Sequence, residues 1–339
     1  MALSLQGIAE SVMDRVQFPV HYPLTAFEIA ANELTAVRLR RDRSGRRLLG
    51  YGVAPITAAA PSVAPTAPAA HPVKTDHHAG LQAAVVRASE SAGIRAGKAS
   101  LLLPDSMARV WLLQLPEVPR SAQQTLELIR WKIKRSVAFR VEDAVISWQV
   151  LSRPSGNEPA VLLVGLLQGP TVHGFEKVFA EAGFKVGLVD LCSFNLYNAY
   201  RASIEKDGVT EGDFAVVNAT EAYFTLMIFR AGNLIFYRCK THTEGEGSLP
   251  EQRERTYRRE LATSLAYYTE KLKGIRPART YARIFDPALP AWRETLETVG
   301  FGGVESIDPG KYVMLPEEMD ARTAAGLAPA LGAATGRSA

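Results

Sequence analysis

The stretch LLLPDSMARVWLLQLPEVPRSAQQTLELIRWKIKRSVAFRVEDAVISWQVL, Leu101 to Leu151, changes its hydrophobic period twice, and those changes decide the fold class. Leu101 to Leu103 and Val110 to Leu115 are short apolar runs, closed by Pro104 and Pro116. Such runs suit strands, because proline fixes φ and cannot donate to a ladder. Pro104, Asp105 and Ser106 supply turn chemistry between them. From Ser121, an N-cap candidate, Leu126, Ile129, Ile133 and Val137 recur every three or four residues and so share one helix face. Arg130, Lys132, Lys134 and Arg135 take the other faces. In the closing strand Val145, Ser147, Gln149 and Leu151 alternate with Ile146, Trp148 and Val150, so a strand covered on both sides is expected.

The rest of the chain is consistent with a folded protein of ordinary class. Of its 339 residues, 47% are hydrophobic and 22% charged, enough apolar side chain for two or three packed units. Lys and Arg number 39 against 35 Asp and Glu, a net charge of +4 that does not announce nucleic acid. The basic run Arg38 to Arg47 reads first as a solvated turn. Cys192 and Cys239 have no ligand spacing, and His77–His78, the one adjacent histidine pair, has no third ligand beside it, so neither a metal site nor a disulfide framework is expected. The longest apolar run, Ala160 to Leu167, is far short of the roughly 18 residues that span a bilayer. MALSLQGIAE has no basic region ahead of an apolar core, so no secretory leader is read there.

Outward from the central stretch, residues 1–23 read as an N-terminal extension with a weak helical stripe at Leu5, Ile8, Val12 and Val16. Thr25–Ile29, Thr35–Arg40 and Leu48–Val53 are strands of an antiparallel meander. Residues 54–73, almost all Ala, Pro, Ser, Thr and Val, form a low-complexity loop expected to be mobile. A helix is predicted over Leu81–Ala92, and beyond the central stretch a strand over Ala160–Gly169, a helix over Thr171–Ala182, a strand over Lys185–Asp190 and a helix over Ser193–Ile204. A second cycle opens with strands at Phe214–Asn218, Tyr223–Arg230 and Leu234–Cys239, the last two joined at Ala231, Gly232 and Asn233. A long helix follows over Pro250–Lys273, then a strand over Thr280–Phe285, a helix over Ala291–Val299, a strand over Val304–Ile307, and an Ala- and Gly-rich helix ending Met314–Ala334. Both halves repeat one plan, a three-stranded meander followed by helices alternating with strands.

That duplicated plan, with a unit inserted into its first half, resembles the actin-like ATPase superfamily. Within it, the chain is most similar to the PilM-like proteins of type IV pilus assembly, themselves related to FtsA and to the cytoplasmic part of type II secretion platform proteins. LLLP, LQLPEVP, IRWKIKRSVAF and VEDAVISWQVL look like the inserted subdomain. FEIAANELTAVRL resembles the first strand pair, AEAGFKVGLVDL the return strand, and VVNATEAYFTLMIFRAGNLIFYR the opening of the second lobe. RRELATSLAYYTEKLKG and AAGLAPALGAA resemble the second lobe's helix and the closing helix. The resemblance implies an α/β, two-lobed actin-like (ribonuclease H-like) fold with an inserted β-β-α-β subdomain. It places the first lobe at residues 24–100 and 167–208, the insertion at 101–166, the second lobe at 209–312, and the closing helix and tail at 313–339.

The resemblance also marks where nucleotide chemistry would sit, and there the chain departs from the pattern. The first hairpin of nucleotide-binding members carries an acid followed by Ile-Gly and hydroxyl residues, because a phosphate needs close backbone and a metal needs a carboxylate. This chain has Glu28, Ile29, Ala30, Ala31, Asn32 and Glu33, with no glycine and an extra acid. The second hairpin's Asp-Ile-Gly-Ala has become Asn218, Ala219, Thr220 and Glu221, and the adenosine turn maps to IFDPAL, Ile284 to Leu289, also without glycine. Glu28, Ala30, Asn32, Asn218 and Thr220 are thus the expected positions of an altered cleft, with no catalytic residue and no metal ligand assigned. The plainer reading of Glu28 is a surface ion pair with Arg38 or Arg40, and of Asn218 a turn residue.

What the resemblance implies is an adaptor more than an enzyme. It would be cytoplasmic, peripheral to the inner membrane through its partners, and would bind the N-terminal cytoplasmic peptide of a bitopic pilus or secretion platform protein in a groove beside the insertion. No cofactor is expected, and homo-oligomerisation is left open. The alternatives are an active ATPase or small-molecule kinase of the same fold, which would take ATP with magnesium, and a filament-forming actin-like protein.

Overall fold

The computed structural model describes residues 23–43, 45–57, 75–154, 156, 158–208, 212–241, 250–287 and 289–336. The N-terminal extension, most of the low-complexity loop and the last three residues lie outside the described residues. The chain opens with β1 (Thr25–Ile29), β2 (Glu33–Asp42), β3 (Gly45–Pro55), α1 (Thr75–Ser91) and β4 (Gly97–Leu103). It continues with β5 (Arg109–Leu115), α2 (Ala122–Ile133), β6 (Ala144–Ser152), β7 (Ala160–Gln168), α3 (Gly169–Glu181), β8 (Phe184–Leu191) and α4 (Cys192–Lys206). The second half comprises β9 (Asp213–Thr220), β10 (Tyr223–Arg230), β11 (Asn233–Thr241), α5 (Pro250–Lys271), β12 (Arg279–Phe285), α6 (Trp292–Val299), β13 (Val304–Ser306) and α7 (Ala321–Thr335).

The internal repeat is exact in topology. One five-stranded sheet runs β3-β2-β1-β4-β8 and the other β11-β10-β9-β12-β13. In each, the first three strands are antiparallel and the last two join in parallel. Parallel neighbours require a crossover, and helices supply it in both lobes. The β10–β11 turn needs left-handed backbone at Ala231 (φ 47°) and Gly232 (φ 74°), which is the geometry that matches strand twist in a two-residue hairpin.

The insertion's sheet, β5-β7-β6, corrects one expectation. Leu101–Leu103, read as the insertion's first strand, belongs to β4, which pairs between β1 and β8 in the first lobe's sheet. Its last five residues are all buried, the pattern of a central parallel strand. The insertion therefore reads strand, helix, strand, strand, with β7 in the middle. Ser121 does precede α2, but it acts through its carbonyl, which accepts from Thr125 N–H at 3.0 Å, and its side chain makes no cap. The closing helix starts where Asp320 accepts from Thr323 N–H at 2.9 Å.

The insertion's sheet is covered on both faces, as β6 suggested. Ile146, Trp148 and Val150 join Ile129 and Ile133 of α2, whereas Val145 and Leu151 join Leu163, Leu167, Val172 and Phe175 on the opposite face. That second face is continuous with the core shared by both lobes. Phe27 meets Phe179 and Phe184 edge-on at 5.0 and 4.9 Å, and each such fully buried ring contributes about 1.5–3 kcal/mol. Between the lobes, Tyr197 of α4 stacks on Phe229 of β10 at 4.3 Å, and Phe229 stacks on Phe214 at 4.8 Å. One apolar cluster thus runs from α1 to β12. Finally, α7 returns from the second lobe to pack over β1, β2 and β4.

Candidate functional site

Three elements carry polar side chains into the seam between the lobes. Glu28 is the last residue but one of β1, Asn218 lies in β9, and Arg283 of β12 sits directly across from Asn218 in the parallel register. All three are buried, at 6%, 0% and 3% exposure. Arg283 comes from TYARIF, a largely apolar strand, and its guanidinium meets α7, β9 and β1 rather than water. Its Nε donates to the carbonyl of Ala325 at 2.7 Å, one Nη to that of Gly326 at 3.1 Å, and the other to Asn218 Oδ1 at 3.1 Å. The Glu28 carboxylate lies 3.8 Å from the guanidinium.

Asn218 passes the network on. Its amide donates to Ser193 Oγ at 3.0 Å, in the first turn of α4. The Ser193 backbone N–H donates in turn to Asp105 Oδ1 at 3.1 Å, and Thr225 of β10 donates its hydroxyl to Asp105 Oδ2 at 2.6 Å. Asp105 therefore ties the loop after β4 to α4 and to the second lobe. Cys192 completes the set, its thiol reaching the Leu103 carbonyl at 3.3 Å and Glu28 at 3.7 Å.

Burial governs the charges here. Desolvation pushes the Glu28 carboxyl up to about 7, although the nearby Arg283 guanidinium pulls the other way. Burial also raises Asp105, against the donations of Ser193 and Thr225. The Cys192 thiol is driven well above its ordinary value by burial and then by the carboxyls of Glu28 and Asp105, so it stays protonated and is no nucleophile. An unpaired charge at such depth would cost several kcal/mol, and the mutual satisfaction of Arg283, Asn218 and the α7 carbonyls offsets that cost.

Three features of these residues weigh against ATP with magnesium. Arg283 sets a fixed positive charge beside Glu28, the acid at the first hairpin's metal position. At the second hairpin, Thr220 Oγ1 accepts from the N–H groups of Ala222 and Tyr223 at 3.3 and 3.2 Å, which occupies amides that a phosphate turn would offer. At the first, Ala30 N–H donates to the Glu33 carbonyl at 2.9 Å and closes the hairpin. Among the described residues, no group of three or more His, Cys, Asp or Glu is arranged to hold a metal ion.

Of the expected cleft positions, the structure brings Glu28 and Asn218 into one network and leaves the others at the hairpins. Thr220 caps its own turn, Ala30 closes the first turn, and exposed Asn32 uses its carbonyl to accept from Ile56 N–H at 2.8 Å. Both plainer readings are corrected. Glu28 is not a surface acid beside Arg38 or Arg40, because the β1 face it occupies is covered, and Asn218 is a buried strand residue, not a turn residue. The adenosine turn carries Asp286, buried and 3.3 Å from Arg253 of α5. Sequence reading missed Arg283 and Asp105. A charge inside an apolar strand was the available signal for the first, whereas Asp105 is indistinguishable from a turn aspartate.

A scan against protein-family models finds no match, and a search of curated proteins finds none. Solved structures do match. A chain of the structure described as the PilM-PilN type IV pilus biogenesis complex aligns with a TM-score of 0.73 at 16% identity, over 93% of this chain and 98% of that one. The chain has a PilM-like fold. A Bacteroides thetaiotaomicron protein described as having an actin-like ATPase fold and unknown function aligns at TM-score 0.49 and 10% identity, over 86% and 93% of the two chains. The cytoplasmic domain of EpsL, an inner-membrane component of the Vibrio cholerae type II secretion system, aligns at 0.47 and 10%, over 92% and 95%. The PilM-like likeness spans both lobes and the insertion, so the fold is the two-lobed actin-like one that the segment order implied.

Proposed function

We propose that this chain is an adaptor of a type IV pilus, or related type II secretion, assembly platform at the inner membrane, and that it binds the N-terminal cytoplasmic peptide of a bitopic platform protein without efficient ATP hydrolysis. The observation that carries the reading is the Arg283–Asn218 contact, through which the protein's own groups fill the polar seam of a PilM-like fold. A fold that spends its cleft on internal cohesion has its surfaces left for function. The insertion supports this, because the outer strand β5, which lies near β11 of the second lobe, keeps Val110, Trp111, Leu112 and Leu113 only half-buried. An extended peptide gains main-chain hydrogen bonds at such an edge and side-chain pockets along it. Among the described residues no helix is long and apolar enough to cross a membrane.

Calorimetric titration of the full chain with the N-terminal peptide of the platform protein encoded nearby tests the reading. Saturable binding supports it, and absence of binding by the folded chain overturns it. Sedimentation without nucleotide and with it separates this reading from a filament, which would pellet.

A further inference from the structure

Helix α2 presents its apolar side, Thr125, Ile129 and Ile133, to the insertion's sheet. At about 100° per residue, Trp131 stands about 200° round from Ile129, on the crest facing away from the protein. It is 71% exposed, a large aromatic left in water. Arg130 and Lys132 flank it, and Lys134 and Arg135 follow within the next turn, in a short 3-10 segment (Lys134–Ser136) that continues the helix. Arg109 of β5 joins the same end, donating to the Ser136 carbonyl at 2.6 Å. From Arg130 to Arg140 the sequence RWKIKRSVAFR holds no acid.

The neighbouring acids are few and largely engaged. Glu127, one turn ahead of Trp131, accepts from the Gln123 amide at 2.9 Å. Asp143 lies 3.8 Å from Arg140, and Glu142 is exposed beside it. The surface around Trp131 is therefore convex and cationic, with one amphipathic ring at its summit. Cations alone would suit any anionic partner. The ring decides between them, since an indole on a convex crest has no cleft to fill but is at home at headgroup level, where its face meets acyl chain and its N–H meets polar groups.

We propose that the α2 crest contacts the bilayer directly, laying Trp131 into the headgroup layer of an anionic membrane while Lys132, Lys134 and Arg135 face lipid phosphates. This goes beyond anchoring through a protein partner and stands or falls separately from peptide binding. The contact is peripheral and reversible, since one ring and a few cations do not insert a helix.

The test is co-sedimentation of the full chain, with no partner present, with vesicles of phosphatidylcholine alone and with vesicles that also contain phosphatidylglycerol. Binding to the second and not the first is expected, weakening as salt rises. Each cation reversed or lost should weaken binding roughly fivefold or more, so Lys132→Glu with Lys134→Glu and Arg135→Glu should abolish it, and Trp131→Ala should weaken it several-fold. These side chains are exposed, and circular dichroism checks that the variants stay folded. Equal binding to both vesicles, or variants that bind like the parent, would overturn the proposal. So would capture by a polyglutamate peptide together with indifference to anionic vesicles, which would assign the crest to an acidic protein.

Discussion

Arg283 donates to Asn218 Oδ1 at 3.1 Å across neighbouring parallel strands, and the same guanidinium holds the carbonyls of Ala325 and Gly326 in α7. One side chain of the second lobe thereby fastens the helix that covers the first lobe's sheet. A cation at this depth is stable only while all its partners are present.

Arg283→Met should therefore cost about 3–5 kcal/mol, because two carbonyls and Asn218 lose a donor and Glu28 loses its counter-charge. Arg283→Lys should recover only part of that loss, since an ammonium cannot reproduce the planar fork. Urea denaturation of the three proteins checks both, and a Met variant as stable as the parent would show that the network carries no stability.

The Glu28 carboxyl gives a pH dependence with a definite sign. Its ordinary value is 4.5 and its folded value about 7, so between these the folded state holds a proton that the unfolded state has released. Its contribution to stability is present below about 4.5 and is lost as pH rises through about 7. Glu28→Gln should remove this dependence, so that the stability of the parent relative to the variant falls across that window. Urea midpoints measured from pH 4.5 to pH 7 decide it, and a relative stability that rises instead would reverse the assignment.

Asp105 and Thr225 join the loop after β4 to the second lobe at 2.6 Å. Thr225→Val leaves a buried carboxyl oxygen without its donor and should cost about 1–3 kcal/mol. In a double-mutant cycle with Asp105→Asn the two losses should be non-additive by about 0.5–3 kcal/mol, whereas additive losses would mean that the pair does not couple the lobes.

Gly52 allows α1 to lie against β3. A Cβ there would stand 2.2 Å from the Ala88 carbonyl oxygen and 2.8 Å from Ser91 Cβ, so Gly52→Ala should destabilise by about 1–3 kcal/mol. Gly187 has nothing within 4 Å of the corresponding position, and Gly187→Ala should be neutral or stabilising. Thermal melts of the two variants compare them directly.

Much of this fold is legible in the sequence where periodicity reports it. The switch from apolar runs to three- and four-residue spacing marked β5, α2 and β6, and the Ala231–Gly232 turn marked the second lobe's hairpin. Periodicity does not say which sheet a strand joins, so Leu101–Leu103 read as part of the insertion although β1 and β8 claim it. The site was legible only in part for a similar reason. Glu28 and Asn218 were found because hairpin positions can be aligned, whereas Arg283 and Asp105 owe their roles to α7, α4 and β10, which arrive from elsewhere in the chain.

The most direct test of the account is one titration of the full chain with the platform protein's cytoplasmic peptide, run with magnesium and ATP and without them. Saturable peptide binding of the same affinity in both conditions is expected. No binding, or an affinity that magnesium and ATP shift several-fold, would contradict it.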